Sequence, residues 1–337
     1  MRRSRLTRGV VTFGLAGALV GVAPVGLSAV AARTRCRAAA FVSNNGSGTV
    51  STIDVRTRTK DPSEITVGPF AAGVAITPDG KTVFVANAAG VSTIDVKTRT
   101  KNPNDIAAGS LPFRVAVTPD GMTAFVTNAG SNTVSTIDVQ TRTKNPTDIE
   151  VGSFPARVAI TPDGKTAFVT NRDSNTVSTI DVKTRTKNPH DIAVGSLPNG
   201  VAVTPDGKTA FVVNGGSGTV STIDVKTRTK YPNDIAVGSV VFGVAVTPDG
   251  KTAFVTNGGS GTVSTIDVKT RTKNPNDIPV GADPGGVAFT PDGKTVFVTN
   301  SGSNTVSTIN VKTRTKDPND IPVGVFPVNV AVTPCRR

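Results

Sequence analysis

The hydrophobic positions of this chain come in four short runs that return together many times. In one copy the runs are residues 201–204, 209–213, 219–225 and 235–237, all rich in Val, Ile, Thr or Phe. These residues fit a pleated, half-buried surface, so each run predicts a β-strand. The connections carry Thr-Pro-Asp-Gly, Asn-Gly-Gly-Ser-Gly and Lys-Tyr-Pro-Asn, and their Gly, Pro, Asn and Asp residues favour turns. No helix of useful length is predicted after residue 31.

The period of this pattern predicts the fold. The proline of the Thr-Pro pair recurs after 41 residues and then every 43 residues, at positions 78, 119, 162, 205, 248, 291 and 334. Four antiparallel strands per period without helices are typical of a β-propeller, whose four-stranded blades circle a channel. The seven copies therefore predict an all-β, seven-bladed β-propeller of four-stranded antiparallel blades over residues 32–337.

The two ends of the repeat region favour a closed ring over an open solenoid. The first copy begins in mid-blade, at residues 38–44, and the chain ends with an extra first strand at residues 328–333. We therefore expect the C-terminal strand to complete the first blade.

Residues 1–31 stand outside the repeat and have the layout of a secretory signal peptide. Four arginines precede an apolar run over residues 9–23, and Ala29-Val30-Ala31 supplies a small-residue cleavage site. The run is short and glycine-rich for a membrane span. We expect an exported chain, extracellular or in the cell envelope, with no transmembrane segment once the signal is removed.

Two cysteines mark the seam of the predicted ring. Cys36 and Cys335 map to the same turn position of the same blade, reached from opposite ends of the chain. Because an exported chain meets oxidising conditions, this placement predicts a Cys36–Cys335 disulfide. Two unpaired thiols, or bonds to other chains, are the alternatives.

The amino-acid sequence of the repeat resembles that of a known family. Phe-Val-Thr-Asn occurs at residues 125–128, 168–171, 254–257 and 297–300, with Thr-Pro-Asp-Gly before it and Thr-Val-Ser-Thr-Ile after it. These segments resemble the YVTN β-propeller repeat, with Phe in place of the usual Tyr. The resemblance implies an extracytoplasmic seven-bladed propeller. It implies no single activity, because one fold hosts many functions.

Each copy places cations at one end of the ring, in a segment such as Lys97, Arg99 and Lys101, and Gln140 is the one neutral exception. Their spacing of two residues predicts that they lie on one side of an extended segment. With a formal net charge of +13, this basic collar favours an anionic polymer or an acidic envelope protein as partner. A solvated surface repeated by duplication is the alternative. Nucleic acid is disfavoured because no aromatic residues interleave the charges for stacking.

Variation between copies concentrates at the other end of the ring, in the connection that enters each first strand. We expect the last residue of this connection to face the channel mouth. Four copies place Gly there and one places Asn, but two neighbouring copies place Arg114 and Arg157, and Arg172 lies in a hairpin loop of the second of these blades. Guanidinium groups match carboxylate and phosphate, and Phe113 and Phe154 would supply apolar walls. These residues predict a site for an acidic ligand, with drift between copies as the alternative.

The chain offers little material for acid–base catalysis, since it has one His and only two Glu, Glu64 and Glu150. No catalytic residue, cofactor or metal site is predicted. The recurring Asp of Ile-Asp-Val, such as Asp95, is expected to bond a neighbouring turn. We therefore expect a monomeric, non-enzymatic binding or scaffold propeller. The alternatives are a lactonase-like hydrolase acting at the central channel and a purely structural surface protein.

Overall fold

The computed structural model describes residues 38–334, which form seven antiparallel β-sheets. Each innermost strand contacts the innermost strands of the two neighbouring sheets, and these contacts run in a closed cycle. The sheets are the blades of a seven-bladed, all-β propeller, as predicted. The described residues include one short 3-10 helix, Gly258–Ser260, and none of their helices is long and apolar enough to cross a membrane.

We number the blades from the N-terminus by their second strands. The innermost strands of blades 1 to 7 are Pro327–Val332, Gly73–Ile76, Pro112–Val117, Pro155–Ile160, Pro198–Val203, Val241–Val246 and Pro284–Phe289. The second strands are Ala39–Asn44, Thr82–Asn87, Thr123–Asn128, Thr166–Asn171, Thr209–Asn214, Thr252–Asn257 and Thr295–Asn300. The third strands are Thr49–Asp54, Gly90–Asp95, Thr133–Asp138, Thr176–Asp181, Thr219–Asp224, Thr262–Asp267 and Thr305–Asn310.

The outer edge of each blade is divided into two short pieces, whereas the sequence predicts a single fourth strand. The first pieces are Thr59–Lys60, Thr100–Lys101, Thr143–Lys144, Thr186–Lys187, Thr229–Lys230, Thr272–Lys273 and Thr315–Lys316. The second pieces are Ile65–Thr66, Ile149–Glu150, Ile192–Ala193, Ile235–Ala236, Ile278–Pro279 and Ile321–Pro322. In blade 2 the second piece is replaced by a single β-bridge between Val91 and Ile106. A proline between the two pieces has no N–H to donate, so the edge is interrupted there.

The ring closes as the chain ends predict. The innermost strand of blade 1 comes from the C-terminal end of the chain and pairs antiparallel with Ala39–Asn44, with Ala331 opposite Phe41 and Val330 opposite Val42. The N–H of Ala39 also donates a hydrogen bond to the Thr333 hydroxyl at 2.9 Å. Cys36 and Cys335 lie outside the described residues, as does the predicted signal segment 1–31.

The hydrophobic core lies between neighbouring blades. One phenylalanine on each second strand is fully buried, at Phe41, Phe84, Phe125, Phe168, Phe211, Phe254 and Phe297. Each packs onto the next blade: Phe84 of blade 2 clusters with Val126 and Ile137 of blade 3. Removal of a buried phenylalanine ring costs about 3–5 kcal/mol, so seven such contacts hold the ring together.

The cationic segments of the repeat form tight turns, and the extended conformation predicted for them is wrong. Arg99 has a φ of 57°, in the left-handed region. The Asp95 carboxylate accepts a hydrogen bond from the Thr98 N–H at 2.7 Å, which closes the turn after the third strand. This bond is the main cause that holds the pKa of Asp95 below its ordinary value. The recurring Asp therefore bonds a neighbouring turn, as predicted.

Candidate functional site

All seven blades line one pocket of about 340 Å³ at the end of the ring where the connections enter the innermost strands. We call it the axial pocket. Each blade contributes a residue from the same position of the repeat, and from blade 1 to blade 7 these are Val328, Ala72, Phe113, Ala156, Asn199, Phe242 and Gly285. The opposite end of the ring carries the Thr-Pro-Asp-Gly turns.

The five residues predicted to bind a ligand all line the axial pocket. Phe113 and Arg114 belong to blade 3, while Phe154, Arg157 and Arg172 belong to blade 4. Two neighbouring blades thus place three guanidinium groups and two aromatic rings on one side of the cavity.

The position predicted to face the channel is wrong by one residue in the other five blades. There the lining residue comes one position earlier than the Gly or Asn that closes the connection. In blades 1, 5, 6 and 7 the cause is a β-bulge at the start of the innermost strand. In blade 3, Thr127 pairs with Arg114 and Asn128 pairs with Pro112, so Phe113 has no partner and turns towards the axis.

Glycine at the positions equivalent to the two arginines reflects a close approach of neighbouring blades. A Cβ added to Gly200 would lie 2.7 Å from the carbonyl oxygen of Phe242, and one added to Gly243 would lie 2.3 Å from that of Gly285. Real side chains do not tolerate such distances. Blades 3 and 4 have room for a side chain here, so the arginines occupy space that the other blades do not offer.

Aromatic rings position two of the guanidinium groups. Arg114 lies over the Phe113 ring at 4.4 Å from its centroid and donates a hydrogen bond to the Phe113 carbonyl at 3.1 Å. Arg172 lies over the Phe154 ring at 5.4 Å. The two rings meet edge to face with centroids 6.1 Å apart. The rings therefore form a shelf that limits how the cations move.

The arginines have no acidic partner among residues 38–334. No carboxylate lines the axial pocket, and the ion pairs of the described residues involve other cations. Asp173, next to Arg172 in the chain, is exposed and makes no ion pair with it. Arg114 and Arg157 are partly buried, so the pocket holds positive charge that the described protein does not neutralise.

Burial penalises this charge. Desolvation holds the pKa of Arg114 well below its ordinary value, and the nearby charge of Arg157 adds to the effect. Desolvation alone lowers the pKa of Arg157 to about 10. Arg157, with a pKa of about 10, keeps its charge at neutral pH. An anion between the two arginines would relieve both penalties.

The pocket lining contains no Asp, Glu, His or Lys. Residues 38–334 contain no cluster of His, Cys, Asp and Glu suited to a metal ion. His190 is exposed on the outer edge. The arrangement can therefore bind an anion or polarise a carbonyl oxygen through arginine, but its own lining offers no general base.

Seven residues around the mouth of the pocket share an unusual backbone conformation. They come two positions before the residues that line the pocket, and each has a φ between 49° and 56°: Phe70, Leu111, Phe154, Leu197, Val240, Asp283 and Phe326. A residue with a Cβ is strained there by about 1–2 kcal/mol. We call these seven residues the rim. The sequence did not predict this conformation, because bulky residues rarely adopt it.

Sequence reasoning did not single out the opposite wall of the pocket. It is formed by Phe242, Gly285, Phe326 and Val328, and Asn45 and Ser301 supply its polar atoms, while Asn199 lies beside the arginines on blade 5. Variation between copies one position before the arginines is the signal that could have found Phe242, Gly285 and Val328.

The basic collar lies at the opposite end of the ring, and part of it ties the blades together. Arg99 of blade 2 pairs with Asp61 of blade 1, and Lys101 pairs with Asp105 at 2.7 Å. Lys97 is exposed. In blade 4, Arg185 donates to the Asn145 side chain of blade 3 at 2.8 Å. The arginines of several of these turns thus bond to the neighbouring blade.

Comparison with known proteins adds a family. The model of the family described as "Lactonase, 7-bladed beta-propeller" matches residues 89–204, 138–242 and 201–325, which together exceed half of the chain. No curated protein sequence matches.

Many solved structures share the fold. Hydrazine synthase of Kuenenia stuttgartiensis is 25% identical, with a TM-score of 0.70 over 77% of this chain and 88% of that one. The periplasmic gluconolactonase of Pseudomonas aeruginosa is 17% identical, with a TM-score of 0.74 over 88% and 99%. A functionally unknown protein from Desulfotomaculum acetoxidans is 16% identical, with a TM-score of 0.77 over 88% and 99%. The last two likenesses show the fold alone.

The family match corrects the functional prediction. A non-enzymatic binding or scaffold propeller was expected because the chain has few acid–base residues. The match is to a family of enzymes, so that expectation is wrong, and the lactonase-like alternative agrees with the match. The scarcity of His and Glu misled the prediction because a count of residue types does not decide whether a fold carries an enzyme site.

Proposed function

Because the chain belongs to the lactonase family of seven-bladed β-propellers, we propose that it is a hydrolase that opens a lactone to its hydroxycarboxylate in the axial pocket. One observation carries the assignment of the site. Arg114 and Arg157 are partly buried, line the pocket together and have no acidic partner among the described residues. A lactone develops negative charge on its carbonyl oxygen during opening, and its product is a carboxylate.

The reaction consumes one water molecule. The water oxygen attacks the lactone carbonyl carbon, and the carbonyl oxygen takes up the negative charge. The bond from this carbon to the ring oxygen then breaks, and the ring oxygen leaves with a proton as a hydroxyl group. The new carboxyl group releases a proton to solvent.

The arginines act on the oxygen atoms of this reaction. A guanidinium group held in place before the reaction stabilises the developing oxyanion without having to reorganise. Its paired N–H groups also match the two oxygens of the product carboxylate. The phenylalanine shelf supports this role, because it fixes Arg114 and Arg172 beside the cavity.

The described residues that line the pocket include no general base, which gives the proposal a pH signature. With solvent hydroxide as the activating base, kcat/KM is expected to rise with pH. It is expected to fall again as Arg157, whose pKa burial lowers to about 10, loses its charge. The fall of kcat/KM at high pH is assigned to deprotonation of Arg157, since the protonated guanidinium is the active form.

The test is proton release from a panel of γ- and δ-lactones, followed from pH 6 to pH 11. The wild type is expected to turn over at least one class of lactone. Arg157→Met is expected to lose 100-fold or more in kcat, about the effect of removing one oxyanion donor. Arg185→Met, at the other end of the ring, is the matched control. Turnover in Arg157→Met equal to that of the wild type would overturn the assignment.

We also propose that the repeat is of the YVTN type and that the chain works as an exported monomer, extracellular or in the cell envelope. The signal-like layout of residues 1–31 supports export. An acidic envelope protein or anionic polymer at the basic collar belongs to the same proposal. Fractionation of the producing cells and sedimentation of the purified chain test location and oligomeric state.

A further inference from the structure

The axial pocket is divided into a cationic side and an apolar side. Arg114, Arg157 and Arg172 come from blades 3 and 4. In a ring of seven, blade 7 lies across from the boundary between blades 3 and 4, with blades 6 and 1 on either side of it. Those three blades place Phe242, Gly285 and Val328 on the far wall. A ligand that fills the cavity therefore meets charge at one end and hydrocarbon at the other.

The pocket has few hydrogen-bonding groups apart from the arginines. Its other polar side chains are Asn45, Asn199 and Ser301. Asn199 already donates its amide to the Val241 carbonyl at 3.1 Å, and Ser301 donates its hydroxyl to the Asp283 carbonyl at 2.9 Å. A sugar lactone would bring several hydroxyl groups into this space. A buried hydroxyl without a partner loses binding strength, so the lining disfavours a polyhydroxylated ligand.

Two phenylalanines on the apolar side remain open to solvent. Phe242 is 38% exposed and Phe326 is 47% exposed. Phe326 also holds a left-handed backbone with a φ of 56°, where Gly or Asn would be less strained. Both rings border the cavity, so an apolar group bound in the pocket would cover them and gain their contact area.

We propose that the substrate is an amphipathic lactone, with its carbonyl end at the arginines and an alkyl or aromatic substituent against Phe242, Phe326 and Val328. This inference rests on the proposed function for the reaction, but its ligand class is tested by binding alone. Hydrolysis of the ester bond leaves an amphipathic hydroxycarboxylate, whose carboxylate stays at the arginines.

Binding of unreactive carboxylates tests the ligand class. Calorimetry with butyrate, hexanoate, octanoate and gluconate compares chain length and hydroxylation at constant charge. We expect affinity to rise about fourfold for each methylene that enters the apolar side, and we expect gluconate to bind more weakly than hexanoate. Arg157→Met should abolish binding of all four.

The internal repeat supplies a matched control for the apolar side. Phe326 and Phe70 occupy the same rim position with the same φ of 56°, but only Phe326 lines the pocket. Phe326→Asn should weaken octanoate binding about fivefold, and Phe70→Asn should leave it unchanged. Asn tolerates this backbone conformation, so both variants are expected to fold. Phe242→Ala probes the same wall from another blade.

The outcomes separate the two proposals. If octanoate binding depends on chain length and on Phe326 while no lactone is hydrolysed, the ligand class stands and the hydrolase assignment falls. If sugar lactones are hydrolysed at least as well as alkyl-substituted lactones, and gluconate binds as tightly as hexanoate, the hydrolase assignment stands and the ligand class is overturned. An equal effect of Phe70→Asn and Phe326→Asn would also overturn it.

Discussion

Replacing Arg157 with methionine should make the free protein more stable while removing its anion site. The guanidinium of Arg157 is partly buried and has no carboxylate partner among the described residues. Its charge therefore lies in a less favourable environment in the folded chain than in the unfolded one. Methionine keeps a flexible side chain of similar length and carries no charge to desolvate.

The pKa gives the size of the effect. Burial lowers the pKa of Arg157 from its ordinary value to about 10, which corresponds to an unfavourable free energy of about 3 kcal/mol for the charged form. The pocket opens to solvent, which screens part of this penalty. We therefore expect a gain of about 1–2 kcal/mol in the free energy of unfolding, and a rise in Tm of about 2–6 °C.

The dependence on pH has a definite sign. The folded pKa of Arg157 lies below the unfolded value, so above about pH 10, and up to the unfolded pKa, this group binds more protons in the unfolded chain than in the folded chain. Stability of the wild type therefore rises with pH in that window. The advantage of Arg157→Met, fully present below pH 10, is expected to shrink as pH rises through 10.

Thermal unfolding in a buffer without carboxylate or phosphate measures both effects, at pH 7 and at pH 10.5. Adding octanoate should stabilise the wild type by ligand binding and leave Arg157→Met unchanged. Arg172→Met is the control, because that side chain lies over the Phe154 ring and its loss removes a favourable contact. A Tm for Arg157→Met at or below that of the wild type at pH 7 would refute the claim that the charge is unsatisfied.

Two further predictions concern the seam and the basic collar. Peptide mapping of the exported protein without reductant should recover Cys36 linked to Cys335, and free thiols at both positions would contradict the bond. Because the bond closes a very long loop, Cys335→Ser should lower the free energy of unfolding by up to about 5 kcal/mol. Binding of an anionic polymer at the collar, measured by cosedimentation, should weaken steeply as the salt concentration rises. Combined neutralisation of Lys97, Arg99 and Lys101 should also reduce it. Binding that does not depend on the salt concentration would exclude the collar as the binding site.

The propeller could be predicted because its information is local and repeated. Strand runs, turn residues and a fixed period specify four strands per blade, and the extra strand at the C-terminal end specifies closure. The conformations of the turns could not be predicted in the same way. Nothing about Arg99 or Phe70 indicates a left-handed backbone, because such residues accept that conformation only when the surrounding structure imposes it.

The candidate site was predicted on one side and missed on the other for a physical reason. Arg114 and Arg157 differ in charge from the residues at the same position in other copies, and that contrast is visible in the sequence. Apart from Asn199 and Asp283, the counterparts of Phe242 and Phe326 in the other copies are apolar residues or glycine, so little contrast in charge marks these two phenylalanines in the sequence. The role of Phe242 also depends on a β-bulge that turns this position towards the axis, and a bulge leaves no mark in a pattern of hydrophobic residues.

The arginine of the collar turn makes a contact between neighbouring blades that recurs in several copies and differs near the seam. In several blades it reaches the residue before the outer-edge proline of the preceding blade. Arg185 and Arg228 reach Asn145 and Asn188 there. The two such contacts nearest the closure use aspartate instead, since Arg58 pairs with Asp317 at 2.8 Å across the seam and Arg99 pairs with Asp61. Blade 1 is the only blade assembled from both ends of the chain, and hydrogen bonds between charged groups are stronger than neutral ones. The repeat therefore provides this contact in several blades, and the copies beside the seam carry its stronger form where the chain itself is not continuous.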